Sequence, residues 1–179
     1  MNATDRGAVR VANPHEHDAV RAVTAAAFEQ YRAVLPSHLF DLYVADLVDI
    51  EARADASEQL VVDGTDGRIV ASVSYYPDAS DEGLAWPSGW SGLRALAVDP
   101  DHRGSGAGRR LMDACRQRAA AAGSPVLALH TAEFMRAAVS LYEKTGFRRA
   151  PQYDLRPSDL LDVDSDGLPQ VIAYTLALA

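Results

Sequence analysis

The stretch Leu93 to Met112, LRALAVDPDHRGSGAGRRLM, limits the fold more than any other part of this chain. Its apolar run, Leu93 to Val98, is cut by Asp99-Pro100, and Arg103-Gly104-Ser105-Gly106-Ala107-Gly108 then leads into a segment of helical character. The predicted order is strand, glycine loop, helix. The first N–H groups of a helix lack intrahelical acceptors and lie at the positive end of its dipole, so a loop of this kind can turn several of them onto one anion. Glycine at 104, 106 and 108 removes side chains that would hold phosphate oxygens off the backbone, and it permits positive φ where the loop curls. Arg103, Arg109 and Arg110 add positive charge nearby.

Spacing separates the phosphate-binding motifs. A P-loop ends in Gly-Lys-Ser/Thr, but Arg109 and Arg110 follow Gly108. A dinucleotide fingerprint, G-x-G-x-x-G, begun at Gly104 requires glycine where Arg109 stands, and begun at Gly106 requires it at Leu111. What remains is R-x-x-G-x-G preceded by Val98-Asp99-Pro100. A tight turn with no ligand is the plainer alternative, but three close glycines flanked by arginines are costly in a mere turn.

At 179 residues, 48% of them hydrophobic, the chain is expected to form a single domain over residues 1–179 with a sizeable core. Its one cysteine, Cys115, cannot close an internal disulfide; it suits a reducing compartment and reads as a small packed side chain rather than a nucleophile. No apolar run approaches a membrane span and the start, MNATDRGAVRV, lacks a secretory apolar core, so the expectation is a soluble cytoplasmic protein with no membrane partner. A net charge of −8 argues against a nucleic-acid partner and is compatible with a cationic substrate.

Along the chain, Val9 and Val11 alternate as in a half-buried strand. Asn13, Pro14 and Glu16 form a helix start with a capping-box acid, and Val20, Val23, Ala27, Phe28 and Tyr31 share one face of the helix that follows. His15 and His17 point apart at i and i+2, so a solvated helix start is preferred to a metal site. After Pro36 a second helix is predicted from Ser37 to Ala54, with Leu39, Leu42, Tyr43, Leu47 and Ile50 as its apolar stripe. Strands at Leu60 to Val62 and Ile69 to Tyr75 flank a turn-rich connection, and Pro77 to Gly92 is loop. Beyond the glycine loop the helix stops at Gly123; a buried strand covers Val126 to His130, a helix Arg136 to Lys144, a strand Phe147 to about Leu155, and a last strand Val171 to Leu178.

The glycine loop, LYEKTGF at Leu141 to Phe147, and VRVANPHEHDAVRAVTAAAFEQY near the start together resemble the GNAT superfamily of N-acetyltransferases over nearly the whole chain. The resemblance implies an α/β fold with a central mixed, mostly antiparallel seven-stranded sheet flanked by about four helices, in the order β-α-α-β-β-β-α-β-α-β-β. It implies acetyl-CoA as co-substrate and no metal, with the pyrophosphate on Arg103, Gly104, Ser105, Gly106, Ala107, Gly108 and Arg109. The strand before the loop carries a bulge and splays from its neighbour in this family, and Leu96, Ala97 and Val98 match the positions that meet pantetheine and the thioester oxygen. Tyr142 matches the tyrosine that often protonates the CoA thiolate, which a phenol can do at neutral pH; a packed helix-face aromatic is the alternative.

Two departures stand out. Many members carry glutamate where this chain has Arg94, and asparagine where it has Met135. Acetyl transfer needs a neutral amine, a positioned thioester, a stabilised oxyanion and a proton for the thiolate. The substitute candidates near the amine are His130 and Glu133, although a solvated strand-end histidine is the plainer reading of His130. Glu29, Tyr31, Trp86 and the acids between Pro77 and Gly92 are candidate acceptor contacts. Asp162 to Gly167 imitates an EF-hand start, but its twelfth position is Ala173 and strands flank it, so an acidic turn is preferred. The function implied is acetyl transfer from acetyl-CoA to a primary amine, small molecule or peptide, by direct attack. A non-catalytic acyl-CoA-binding domain and O-acyl transfer stay open, and homodimers are common in the family.

Overall fold

The computed structural model describes residues 7–159 and 168–178. Seven strands form one sheet in the order β1-β2-β3-β4-β5-β7-β6: β1 (Val9–Val11), β2 (Glu58–Asp63), β3 (Ile69–Tyr76), β4 (Ser91–Val98), β5 (Val126–Ala132), β6 (Arg148–Arg149) and β7 (Val171–Ala177). Among the described residues four α-helices accompany them: α1 (His17–Phe28), α2 (Ser37–Val48), α3 (Ala107–Ala121) and α4 (Arg136–Lys144). β1–β2, β2–β3, β5–β7 and β6–β7 pair antiparallel, whereas β4 and β5 pair parallel, so the sheet is mixed and mostly antiparallel, as the resemblance implied. Among the described residues no helix is long and apolar enough to cross a membrane.

The chain forms two compact units, Met1–Tyr75 with Ala95–Cys115, and Tyr76–Arg94 with Arg116–Ala179, the divisions falling inside β4 and α3.

In the first unit, the capping residues open a 3-10 turn, Pro14–Glu16, that runs directly into α1 at His17. Glu16 accepts the Asn13 backbone N–H at 2.8 Å, satisfying a donor that the helix start leaves over. The same carboxylate meets Arg10 at 2.7 Å, and Arg10 reaches Asp63 at 2.7 Å, tying β1, the helix start and the end of β2 together. That pairing holds the Glu16 carboxyl down at about 2. Val20, Val23, Ala27 and Phe28 are buried as the periodicity required, with Thr24 bonded to Ser72 of β3 at 3.3 Å. His17 meets Glu51 at 3.1 Å, and the described residues contain no cluster able to hold a metal ion.

α2 departs from expectation: it stops at Val48, not Ala54. The cause is Arg53, which is 8% exposed. Its guanidinium turns back to the helix end, with Nη1 donating to the Asp46 carbonyl at 3.0 Å and Nη2 to the Leu47 carbonyl, while Nε donates to Ser74 at 3.2 Å. A cation at the carbonyl end of a helix satisfies acceptors that another helical turn would otherwise fill. The predicted stripe is also corrected at Leu42, which is 51% exposed, while Phe40 is fully buried.

In the second unit, α4 spans Arg136–Lys144 as predicted and ends at Gly146, whose φ of 96° is open to glycine. The strand expected from Phe147 to Leu155 is cut short. Only Arg148–Arg149 is strand, because Pro151 cannot donate to a ladder and opens a 3-10 turn; Leu155 returns as a single bridge to Val171. Ala128 and Ala173 lie with Ala79, Ala150 and Trp86 in one buried cluster, the small sheet residues leaving room for the indole. The EF-hand-like stretch, Asp162 to Gly167, lies outside the described residues.

Candidate functional site

β4 leads into the glycine loop through one strained residue. Ala95 has φ of 54°, rare for a residue with a side chain, and this is the irregularity expected of the strand that precedes the loop. Leu96 and Val98 are partly exposed and Ala97 is buried. Asp99 then accepts the Asp101 N–H at 2.9 Å, which pins the turn at Pro100.

Within the loop, Gly104 and Gly106 take φ of 78° and 82°, so both glycines are needed by the backbone itself. A Cβ on Gly104 would meet nothing within 4 Å, so the loop's backbone there faces open space. The Arg110 N–H returns to the Gly106 carbonyl at 3.0 Å and Ser105 N–H to the His102 carbonyl at 3.3 Å. Among the described residues the N–H groups of Gly104, Gly106, Gly108 and Arg109 have no such partner. These donors, two in the loop and two in the first turn of the 15-residue α3, could hold an anion such as a diphosphate.

The three arginines are engaged differently. Arg103 donates to the Ala27 carbonyl at 3.2 Å, closing the end of α1, and Arg110 donates to the Ser105 carbonyl at 3.1 Å, bracing the loop from within. Arg109, 71% exposed, pairs loosely with Asp113 at 3.9 Å. Two of the three arginines are therefore turned onto protein carbonyls. Near the same unit's α1, Glu29 is bound bidentately by Arg32 at 2.5 and 3.1 Å, and Tyr31 lies edge-on to Phe28 at 6.0 Å, its phenol pushed up by burial.

In the second unit, Tyr142 is 5% exposed on α4, with the rings of Phe147 and Tyr174 at 6.0 and 6.3 Å. Met135 caps the same helix and is buried, its sulfur 3.6 Å from the Thr131 hydroxyl. Glu133 sits exposed in the turn between β5 and α4.

His130 is not the solvated strand-end residue that the plainer reading expected. β5 continues to Ala132, and the His130 ring stacks on Trp86 with centroids 4.2 Å apart. Nε2 lies 2.9 Å from the Tyr153 carbonyl, which can only accept, so Nε2 carries the proton. Nδ1 is buried with no hydrogen-bond partner among the described residues. Burial, with a smaller push from Arg94, brings the His130 pKa down to about 4.

Sequence reasoning missed what surrounds Arg94. Its Nε is 3.8 Å from Glu82, whose side chain is only 2% exposed, and Glu82 also accepts the Trp86 indole N–H at 3.2 Å. A carboxylate thus adjoins position 94 after all, supplied by the connection before β4. Asp78 closes that connection, accepting from Ser80 N, Ser80 Oγ, Ser88 Oγ and Gly89 N at 2.7 to 3.0 Å; these donors hold its carboxyl far below the usual range. The clue in the sequence was the Asp78/Ser80/Ser88-Gly89 spacing, a loop fastened at its base.

A sequence profile described as the Acetyltransferase (GNAT) family matches residues 20–147. The chain belongs to the GNAT acetyltransferase family. An IAA acetyltransferase of Azospirillum brasilense is 31% identical over 116 residues, 63% of this chain and 71% of that protein. Among solved structures, a GNAT acetyltransferase of Staphylococcus aureus superposes with a TM-score of 0.69 at 14% identity, covering 96% of this chain and 98% of its own. A Bacillus anthracis acetyltransferase solved with acetyl coenzyme A superposes with a TM-score of 0.55 at 19% identity, over 69% of this chain and 63% of its own.

Proposed function

We propose that this GNAT chain transfers the acetyl group of acetyl-CoA to a primary amine by direct attack. The observation that carries the reading is the glycine loop: four N–H groups with no backbone acceptor among the described residues, two glycines at positive φ, and open space beyond Gly104. In this reading the backbone from Gly104 to Arg109 holds the diphosphate. Leu96, Ala97 and Val98, just past the strained Ala95, meet the pantetheine arm. Bound acetyl-CoA supplies an activated acyl carbon and a thiolate leaving group.

The protein's contributions are positional and protonic. The neutral amine nitrogen forms the new C–N bond as the C–S bond breaks; the Tyr142 hydroxyl delivers a proton to the departing sulfur, and the proton that the nitrogen sheds passes to water, from which the phenolate is reprotonated. Buried among Phe147 and Tyr174, the Tyr142 ring has little freedom, which favours a fixed direction for that proton.

A ligand that binds only the folded state raises stability by RT ln(1 + [L]/Kd), about 2.7 kcal/mol at 100 times Kd. Acetyl-CoA is expected to raise the melting temperature clearly, and NAD or ATP far less. A panel of amines should then release CoA thiol in step with acetylated product. Binding without release from any amine or alcohol would replace this reading with a non-catalytic acyl-CoA-binding one.

A further inference from the structure

The second unit carries an arrangement that acetyl transfer alone does not require. Arg94 keeps 23% of its side chain exposed, whereas the carboxylate facing its Nε, Glu82, is 2% exposed. The cation is therefore the more exposed member of the pair and its counter-charge the buried one. Glu82 is itself fixed by the Trp86 indole N–H, and Trp86 is fixed by its stack on His130 and its tilt against Tyr153 at 5.2 Å. Asp78 locks the base of the same connection.

The parallel register adds the placement. Gly92 stands opposite Ala128, so two residues further along each strand Arg94 and His130 fall on the same face. Gly92, Ala79, Ala128 and Trp86 pack beside them, and Asp154 lies near enough to act on His130. A guanidinium held in place loses little freedom on binding, and its planar fork matches a carboxylate. An ammonium group, by contrast, gains nothing from the more exposed cation.

We infer that Arg94 binds a carboxylate of the acyl acceptor, so that the preferred acceptors are amines that also bear a carboxylate, with Glu82 as the positioning residue paired with it. The inference rests on the proposed acetyl transfer and narrows its substrate class.

The test compares L-amino acids with the matching amino acid amides as acceptors, in the parent, Arg94→Gln and Arg94→Lys. Because removing the carboxylate also changes amine basicity, the readout is the change in the acid-to-amide ratio of kcat/KM on substitution, in which basicity cancels. Arg94→Gln is expected to lower that ratio about 10- to 100-fold, mainly through KM, the scale of one charge-assisted pair. Arg94→Lys should restore part of it, keeping the charge without the fork. Calorimetric binding of N-acetyl amino acids against their amides needs no turnover and should show the same loss. An unchanged ratio in turnover and binding overturns the carboxylate site while leaving acetyl transfer standing. Absence of transfer from any amine, with the binding preference for carboxylates intact in the parent and lost in Arg94→Gln, would overturn the transfer and keep the site.

Discussion

His130 makes the acid stability of this protein a quantitative prediction. Its pKa falls from 6.5 to about 4 in the folded chain, principally because burial disfavours the imidazolium. Between those values the unfolded chain binds a proton that the folded one does not, so stability rises with pH across the window and is lost on acidification. Integrating the linkage between pH 7 and pH 4.5 gives a loss of about 2 kcal/mol from this residue. His130→Gln retains a donor for the Tyr153 carbonyl and does not titrate. Urea unfolding of both proteins at half-unit steps from pH 4.5 to 7 is the assay, read as the difference between their slopes. The substitution is expected to shift overall stability by its own amount, which the slopes ignore. The carboxylates with depressed pKa values, Glu16 and Glu51 at about 2, lose their contributions mostly below this window. Parallel slopes for the parent and His130→Gln would refute the claim that a neutral, desolvated imidazole is built into the fold.

Three further outcomes follow from particular contacts. Gly106→Val places a β-branched side chain at φ of 82°, so a cost of about 1 to 2 kcal/mol in stability is expected together with a sharp loss of acetyl-CoA affinity by calorimetry; affinity equal to the parent's would exclude the loop as the diphosphate site. Arg53→Met strips the end of α2 of two donors and Ser74 of a third in a buried place and should cost about 2 to 4 kcal/mol in urea unfolding at constant m-value; a loss under half a kcal/mol would mean that other groups cap the helix. Tyr142→Phe keeps the ring packing and removes the hydroxyl, so kcat should fall about 10- to 1000-fold with acetyl-CoA binding nearly unchanged. Unaltered turnover, with chemistry rate-limiting, would make Tyr142 a packing residue.

Local rules made much of the fold legible. Asn13, Pro14 and Glu16 announced the 3-10 turn that leads into α1, Gly123 and Gly146 the ends of α3 and α4, and the alternation of Val171 to Leu178 the last strand. The glycine loop announced itself because its backbone needs glycine at 104 and 106. What escaped depends on partners distant in sequence. Nothing local says that Arg53 will cap α2 and bond Ser74, or that Arg10 will bridge Glu16 and Asp63. His130 looked solvated because its neighbours in the chain do not include Trp86 or Tyr153, which bury it. Arg94 looked like a missing acid for the same reason: Glu82 reaches it through a fastened loop that composition alone shows only as polar.

In the proposed function the loop holds acetyl-CoA for transfer to an amine. Incubating the protein with acetyl-CoA and a set of primary amines, while counting CoA thiol and acetylated amine together, tests it most directly. One thiol per acetylated amine, dependent on enzyme and abolished by Gly106→Val, is the result expected. Thiol released by water alone, or no thiol from any acceptor despite tight acetyl-CoA binding, would contradict it.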